Sequence, residues 1–183
     1  METYRPIMPL VDNPEYPAQR RKWLASPADD ILDPPLIDLI HVANRLACCF
    51  TMQSCHGHFL YRGQEDPRNL APLPTTGVIG RVTYRIAYLA LCIDSGTEGA
   101  RLLEQLKAIP AVDPGNIQLG CPAWFRKQQV NSYAIQIEPD RFKDQDTAVL
   151  DYPEALTIEA TRNSVFARLE ALFNDFQNPI RRF

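Results

Sequence analysis

Apolar positions along the chain switch between helical and strand spacing, and the switches define its elements. After Asp33-Pro34-Pro35, residues Leu36, Leu39, Ile40, Ala43 and Leu46 or Ala47 recur at intervals of three or four. That spacing predicts a helix over about 35–48, with Asp33 as N-cap and a proline at its first position. Residues 50–54 and 58–62 read as two short strands, joined by the tight turn Cys55-His56-Gly57, where Gly57 can take positive φ. Residues 82–94, VTYRIAYLALCID, are almost continuously β-branched, aromatic or aliphatic, the mark of one central strand covered on both faces. Ser95 and Glu98 have the spacing of a capping box, and Leu102, Leu103, Leu106 and Ile109 supply the stripe of the helix that follows. Residues 116–120 form a weak strand and 124–126 a segment that pairs with its neighbour. In 130–138 the alternation of Tyr133, Ile135 and Ile137 with polar or small residues gives a clearer strand, and 148–150 adds an edge. Asp151 and Glu154 repeat the capping-box spacing before an amphipathic helix over about 155–176, marked by Phe166, Leu169, Phe173 and Phe176.

This order implies an α+β fold, a mixed or antiparallel sheet of five or more strands with helices packed on it, in a single domain over residues 1–183. Seven of the sixteen prolines fall within the first 35 residues, so residues 1–30 are expected to be a proline-rich, mostly extended segment with a short helix near 20–24. Residues 63–78, GQEDPRNLAPLPTTGV, read as a flexible loop long enough to act as a cover. Neither G-x-G-x-x-G nor P-loop spacing occurs, and no G-x-S-x-G elbow, which removes the common phosphate cradles and the hydrolase nucleophile.

A net charge of −3 argues against a surface built for nonspecific nucleic-acid binding. No basic stretch leads into an apolar run near the start, and no apolar run reaches the ~20 residues that span a bilayer. The expectation is a cytoplasmic protein without a membrane partner, its five cysteines reduced.

The candidate chemistry is concentrated. All three histidines (His41, His56, His58) and three cysteines (Cys48, Cys49, Cys55) lie within residues 41–58. Cys48 and Cys49 end an apolar helix face and suit the core. No C-x-x-C or H-E-x-x-H spacing is present, so no metal site is assigned. Cys55 lies beside two imidazoles, whose protonated forms would lower its thiol pKa. An anion- or substrate-binding turn, with backbone amides near Gly57 and the Ser54 hydroxyl facing a ligand in a cleft, competes with a Cys–His nucleophile. A non-catalytic small-ligand or metal-binding module using His41, Cys55, His56 and His58 is the alternative, as is a structural or partner-binding domain.

The stretch from Asn44 to His58 resembles the TYW3 family, the tRNA wybutosine-synthesizing protein 3 methyltransferases. In that family a helix-terminal asparagine is followed, five residues on, by Y-T-T-S-S-C-S-G-R; here Asn44 precedes Phe50-Thr51-Met52-Gln53-Ser54-Cys55-His56-Gly57-His58. Asn44, Thr51, Ser54, Cys55 and Gly57 match in place, whereas His58 replaces the arginine and Gln53 and His56 replace serines. The family's glycine-lysine-tryptophan stretch has no counterpart in 62–81. The resemblance implies S-adenosylmethionine as cofactor, tRNA or a small-molecule ligand as partner, and RNA methylation as the activity. It implies catalytic roles for Cys55 and His58 and cofactor contacts from Asn44, Thr51, Ser54, His56 and Gly57.

Overall fold

The computed structural model describes residues 4–25, 32–75 and 79–177. In chain order its elements are α1 (Tyr16–Leu24), α2 (Ile37–Arg45), β1 (Cys49–Cys55), β2 (His58–Tyr61), β3 (Arg81–Arg85) and β4 (Ala87–Ile93). There follow α3 (Thr97–Lys107), β5 (Ile117–Gly120), α4 (Ala123–Gln128), β6 (Ser132–Ile137), β7 (Thr147–Asp151) and α5 (Tyr152–Gln177). The architecture is α+β as expected, but the strands form two antiparallel sheets, β1-β4-β6-β5 and β2-β3-β7, rather than one sheet of five or more.

Sequence explains the layering. On one face of the larger sheet Leu89, Leu91, Ile93, Ile135 and Ile137 join the buried stripes of α2, α3 and α5 in the main core. On the other, Phe50 and Cys92 pack with Tyr16 and Trp23 of α1, and Ala90 and Ala134 with Phe125 of α4. Because β4 is buried on both faces it reads as a continuous apolar run, whereas β3 and β7, exposed on one face, alternate.

Several expectations are corrected. Residues 82–94 are not one strand: the ladder breaks at Ile86, whose N–H donates to the Asp146 carbonyl at 3.1 Å, and β3 and β4 belong to different sheets. Strands β1 and β2 do not pair with each other, since β1 pairs with β4 and β2 with β3. Residues 124–126 lie in α4 rather than in a paired segment. Helix α1 begins at Tyr16, inside the stretch expected to be extended, with Pro17 in its first turn, where the missing N–H costs nothing. The segment ahead of it is extended and held down: Asn131 accepts from the Val11 N–H at 2.9 Å and donates to its carbonyl at 2.8 Å. Ser95 does not cap α3; Gly96 is the N-cap, and a Cβ on Gly99 would overlap the Asp94 carbonyl oxygen. Asp151 does cap α5, accepting from the Glu154 N–H at 2.9 Å.

Two passages between the sheets lie side by side. One is Cys55-His56-Gly57-His58, the other Arg85-Ile86-Ala87, and they are neighbours because Cys55 opposes Tyr88 and His58 opposes Arg85. This double crossing carries the candidate site.

Candidate functional site

Asp33 holds the N-cap position expected of it, ahead of the Pro34–Leu36 turn that leads into α2, but its carboxylate makes no capping bond and turns back over the crossing instead. Oδ2 accepts from the His56 backbone N–H at 2.7 Å and lies 3.3 Å from His58 Nε2. The other imidazole nitrogen, His58 Nδ1, is 3.3 Å from the Asn69 carbonyl. The loop expected to be flexible is therefore docked over the turn through Asn69, and further along through Leu73, which is buried and donates its N–H to Glu159 Oε1 at 2.9 Å. Its positions 76–78 lie outside the described residues. Asp33, Cys55 and His58 each offer a potential ligand atom, and these atoms all lie within 4.8 Å of one another.

Gly57 has φ of +88°, and a Cβ there would lie 2.8 Å from Tyr84 Cε2 and 2.9 Å from Ala87 Cβ. Its missing side chain thus makes room for the second crossing, which corrects the expectation that it opens the backbone to a ligand. Its carbonyl accepts from Arg162 Nη1 at 3.1 Å. Arg162 is buried beside Glu159, its guanidinium 5.2 Å from the Phe59 ring centre. A cation therefore stands beside the turn, although position 58 carries no arginine.

Burial pushes the Cys55 thiol above its ordinary value, against the pull of the Gly57 N–H, so it is not an activated thiolate. The expected lowering by neighbouring imidazoles does not occur at His56: burial, with Arg162 adding to it, takes that ring down to about 4 and leaves it neutral at pH 7. His56 stacks on Phe166, ring centres 5.7 Å apart, and its buried Nδ1 has no hydrogen-bond partner among the described residues.

The residues singled out from sequence divide into groups. Asn44 and Thr51 meet each other, Asn44 Oδ1 accepting from the Thr51 N–H at 2.8 Å and from its hydroxyl at 3.1 Å, and so clamp the end of α2 to β1. They sit about 13 Å of strand away from Cys55, taking ~3.3 Å per residue. Ser54 is half-buried on β1, while Cys55, His56, Gly57 and His58 are all buried. His41 is exposed on α2 and does not join them. Cys48 and Cys49 are buried in the main core. Asp33, Asn69 and Arg162 are the residues that sequence reasoning missed. Arg162 did leave a signal, since it occupies a stripe position four after Ile158 and four before Phe166.

Cys55, His56, Gly57 and His58 are buried, and residues 54–58 line neither of the two cavities among the described residues. One cavity, of about 360 Å³, instead flanks the double crossing and is lined by Gln53, Arg85, Ile86, Tyr88, Trp124, Gln136, Gln145 and Asp146. Trp124 is 56% exposed beside it, although tryptophan is costly to leave in water. The second cavity, of about 550 Å³, lies between the end of α2, the start of α3 and Phe176 of α5. No described helix is long and apolar enough to cross a membrane.

No protein-family model matches the chain, and no curated protein matches it. Among solved structures it is similar to the PH1069 protein from Pyrococcus horikoshii, at 11% identity and a TM-score of 0.43, over 91% of this chain and 94% of that one.

Proposed function

We propose that this protein binds a nucleotide of single-stranded RNA in the cavity beside the double crossing, and that it belongs to the RNA-modifying methyltransferase class implied by its TYW3-like stretch. The observation that carries the binding half is Trp124, a large exposed aromatic lining a cavity that mixes polar and apolar side chains. Unpaired bases are recognised by stacking on such side chains while amides read their edges and arginine holds phosphate. Gln53, Gln136 and Gln145 supply amides and Arg85 the cation. The volume falls at the lower end of the ~300–1,000 Å³ typical of small-molecule sites. The methyl-transfer half, with S-adenosylmethionine as donor, rests on the resemblance between Asn44 and His58 alone.

A second reading is supported by the burial of the Cys55–His58 turn. If those residues serve the fold, the chain is a non-catalytic binding module with the same cavity.

Titration of the full-length protein with a short unstructured RNA, followed by tryptophan emission, tests the binding half. Quenching is expected in the wild type, and the anisotropy of the same RNA carrying a dye, which does not depend on Trp124 as reporter, should show affinity lost in Trp124→Ala by roughly 5–150-fold, the equivalent of ~1–3 kcal/mol for one stacked base. Trp23 is half-buried against Phe50 and serves as an internal control. Equal affinity in Trp124→Ala would remove the cavity from consideration. Calorimetry with S-adenosylmethionine, followed by transfer of labelled methyl to bulk tRNA, separates the two readings: neither binding nor transfer leaves the non-catalytic module.

A further inference from the structure

We infer that Asp33, Cys55 and His58 form a binding site for a divalent transition metal of the zinc type. The site goes beyond the nucleotide-binding reading and does not depend on it.

The first argument is the hydrogen-bond logic of His58. A backbone carbonyl and a carboxylate both only accept, and a neutral imidazole has one N–H; when Nδ1, facing the Asn69 carbonyl at 3.3 Å, carries it, Nε2 has none. The lone pair of Nε2 then points at Asp33 Oδ2, 3.3 Å away, and two acceptors face each other in a largely buried place. Something positive must lie between them, either a second proton or a metal ion.

The distance and the third corner favour the metal. Zinc bonds of ~2.0–2.1 Å to nitrogen and oxygen in tetrahedral array put those two atoms ~3.3–3.4 Å apart. Cys55 Sγ supplies the third ligand, within 4.8 Å of both, against a tetrahedral sulfur–nitrogen edge of ~3.5–3.6 Å built from a ~2.3 Å zinc–sulfur bond. Small side-chain rotations close that gap. One carboxylate, one thiol and one imidazole form a mixed set that suits zinc or cobalt, whereas calcium and magnesium take oxygen.

The surroundings are those of a metal ligand shell. The Asn69 carbonyl fixes the His58 tautomer and ring plane, and the His56 N–H fixes the Asp33 carboxylate. On binding, the Cys55 S–H bond breaks, its proton leaves to solvent and the electron pair forms the metal–sulfur bond. Three protein ligands leave a fourth position, reached from the side of Asp33, the most exposed of the three.

The test uses full-length reduced protein, stripped with chelator and titrated with Co²⁺ alone. One equivalent should give tetrahedral d–d bands and a sulfur-to-cobalt charge-transfer band. Cys55→Ser should abolish the charge-transfer band, Asp33→Asn and His58→Gln should weaken binding at least tenfold, and Cys48→Ala/Cys49→Ala should leave all of it intact. Absence of the charge-transfer band in the wild type, or its survival in Cys55→Ser, would overturn the site and leave Asp33 and His58 sharing only a proton. Should Cys55→Ser not fold, X-ray absorption of the zinc-loaded wild type decides the matter. One sulfur at ~2.3 Å with the remaining ligands at ~2.0–2.1 Å supports the site, and two sulfurs or none refutes it.

Discussion

Replacing Glu138 with glutamine should stabilise this protein, by an amount that grows with pH. Glu138 follows β6, is fully buried, and neither carboxylate oxygen has a hydrogen-bond partner among the described residues. Burial pushes its carboxyl from an ordinary 4.5 up to about 8; the adjacent Gln136 amide pulls it partly back without good hydrogen-bond geometry, and Asp140 and Asp144 raise it further. An acid whose pKa is higher in the folded than in the unfolded state loses its proton first in the unfolded chain. The unfolded state is therefore favoured progressively as pH rises from 4.5 to about 8, with no penalty below that window and the full penalty above it. At pH 7 the cost is roughly 3–4 kcal/mol, from ~2.5 pH units at ~1.4 kcal/mol each. That is a large share of the ~5–15 kcal/mol that holds a domain together. Glutamine keeps the shape and cannot ionise. Urea unfolding of wild type and Glu138→Gln at pH 5, 6, 7 and 8 reads the effect directly. The variant's advantage should widen by roughly 1.4 kcal/mol per unit, while groups common to both proteins cancel. Parallel stability curves over that range would show that Glu138 is solvated or paired, and the account of its burial would be wrong.

Gly57→Ala forces a Cβ onto Tyr84 and Ala87 at positive φ, and should destabilise by about 2–4 kcal/mol in urea unfolding, more than a surface glycine does. Asn44→Ala removes both bonds to Thr51 and should cost about 1–2 kcal/mol by the same measurement, without altering Co²⁺ binding at the distant turn. Burial depresses the His56 pKa to about 4, so its contribution is intact above the ordinary 6.5 and is lost as pH falls between those values. His56→Phe, which keeps a ring over Phe166, should show a shallower loss of melting temperature over that interval. Arg162→Met leaves the Gly57 carbonyl and Glu159 without their cation and should destabilise by about 3–5 kcal/mol, with Arg162→Met/Glu159→Met recovering part of the loss.

Much of the fold was legible because hydrophobic spacing reports burial directly. The stripes of α2, α3 and α5 and the alternation in β6 follow from which residues must leave water, and one sequence contains that information. The turn at Gly57 was legible for a similar local reason, since φ of +88° is a demand on one residue. What local pattern cannot carry is pairing. A run of apolar residues from 82 to 94 looks the same whether it is one strand or two in different sheets, because the break at Ile86 is made by a hydrogen bond to Asp146, sixty residues away. The same limit applied to the site. His56 and His58 were visible as chemistry, but their states depend on Asp33, Asn69 and Arg162, brought in from a helix entry, a loop and the last helix. Sequence determined which groups were available for chemistry. Only the tertiary structure decided which of them meet, and whether a thiol beside two imidazoles is activated or, in a desolvated crossing between two sheets, kept neutral.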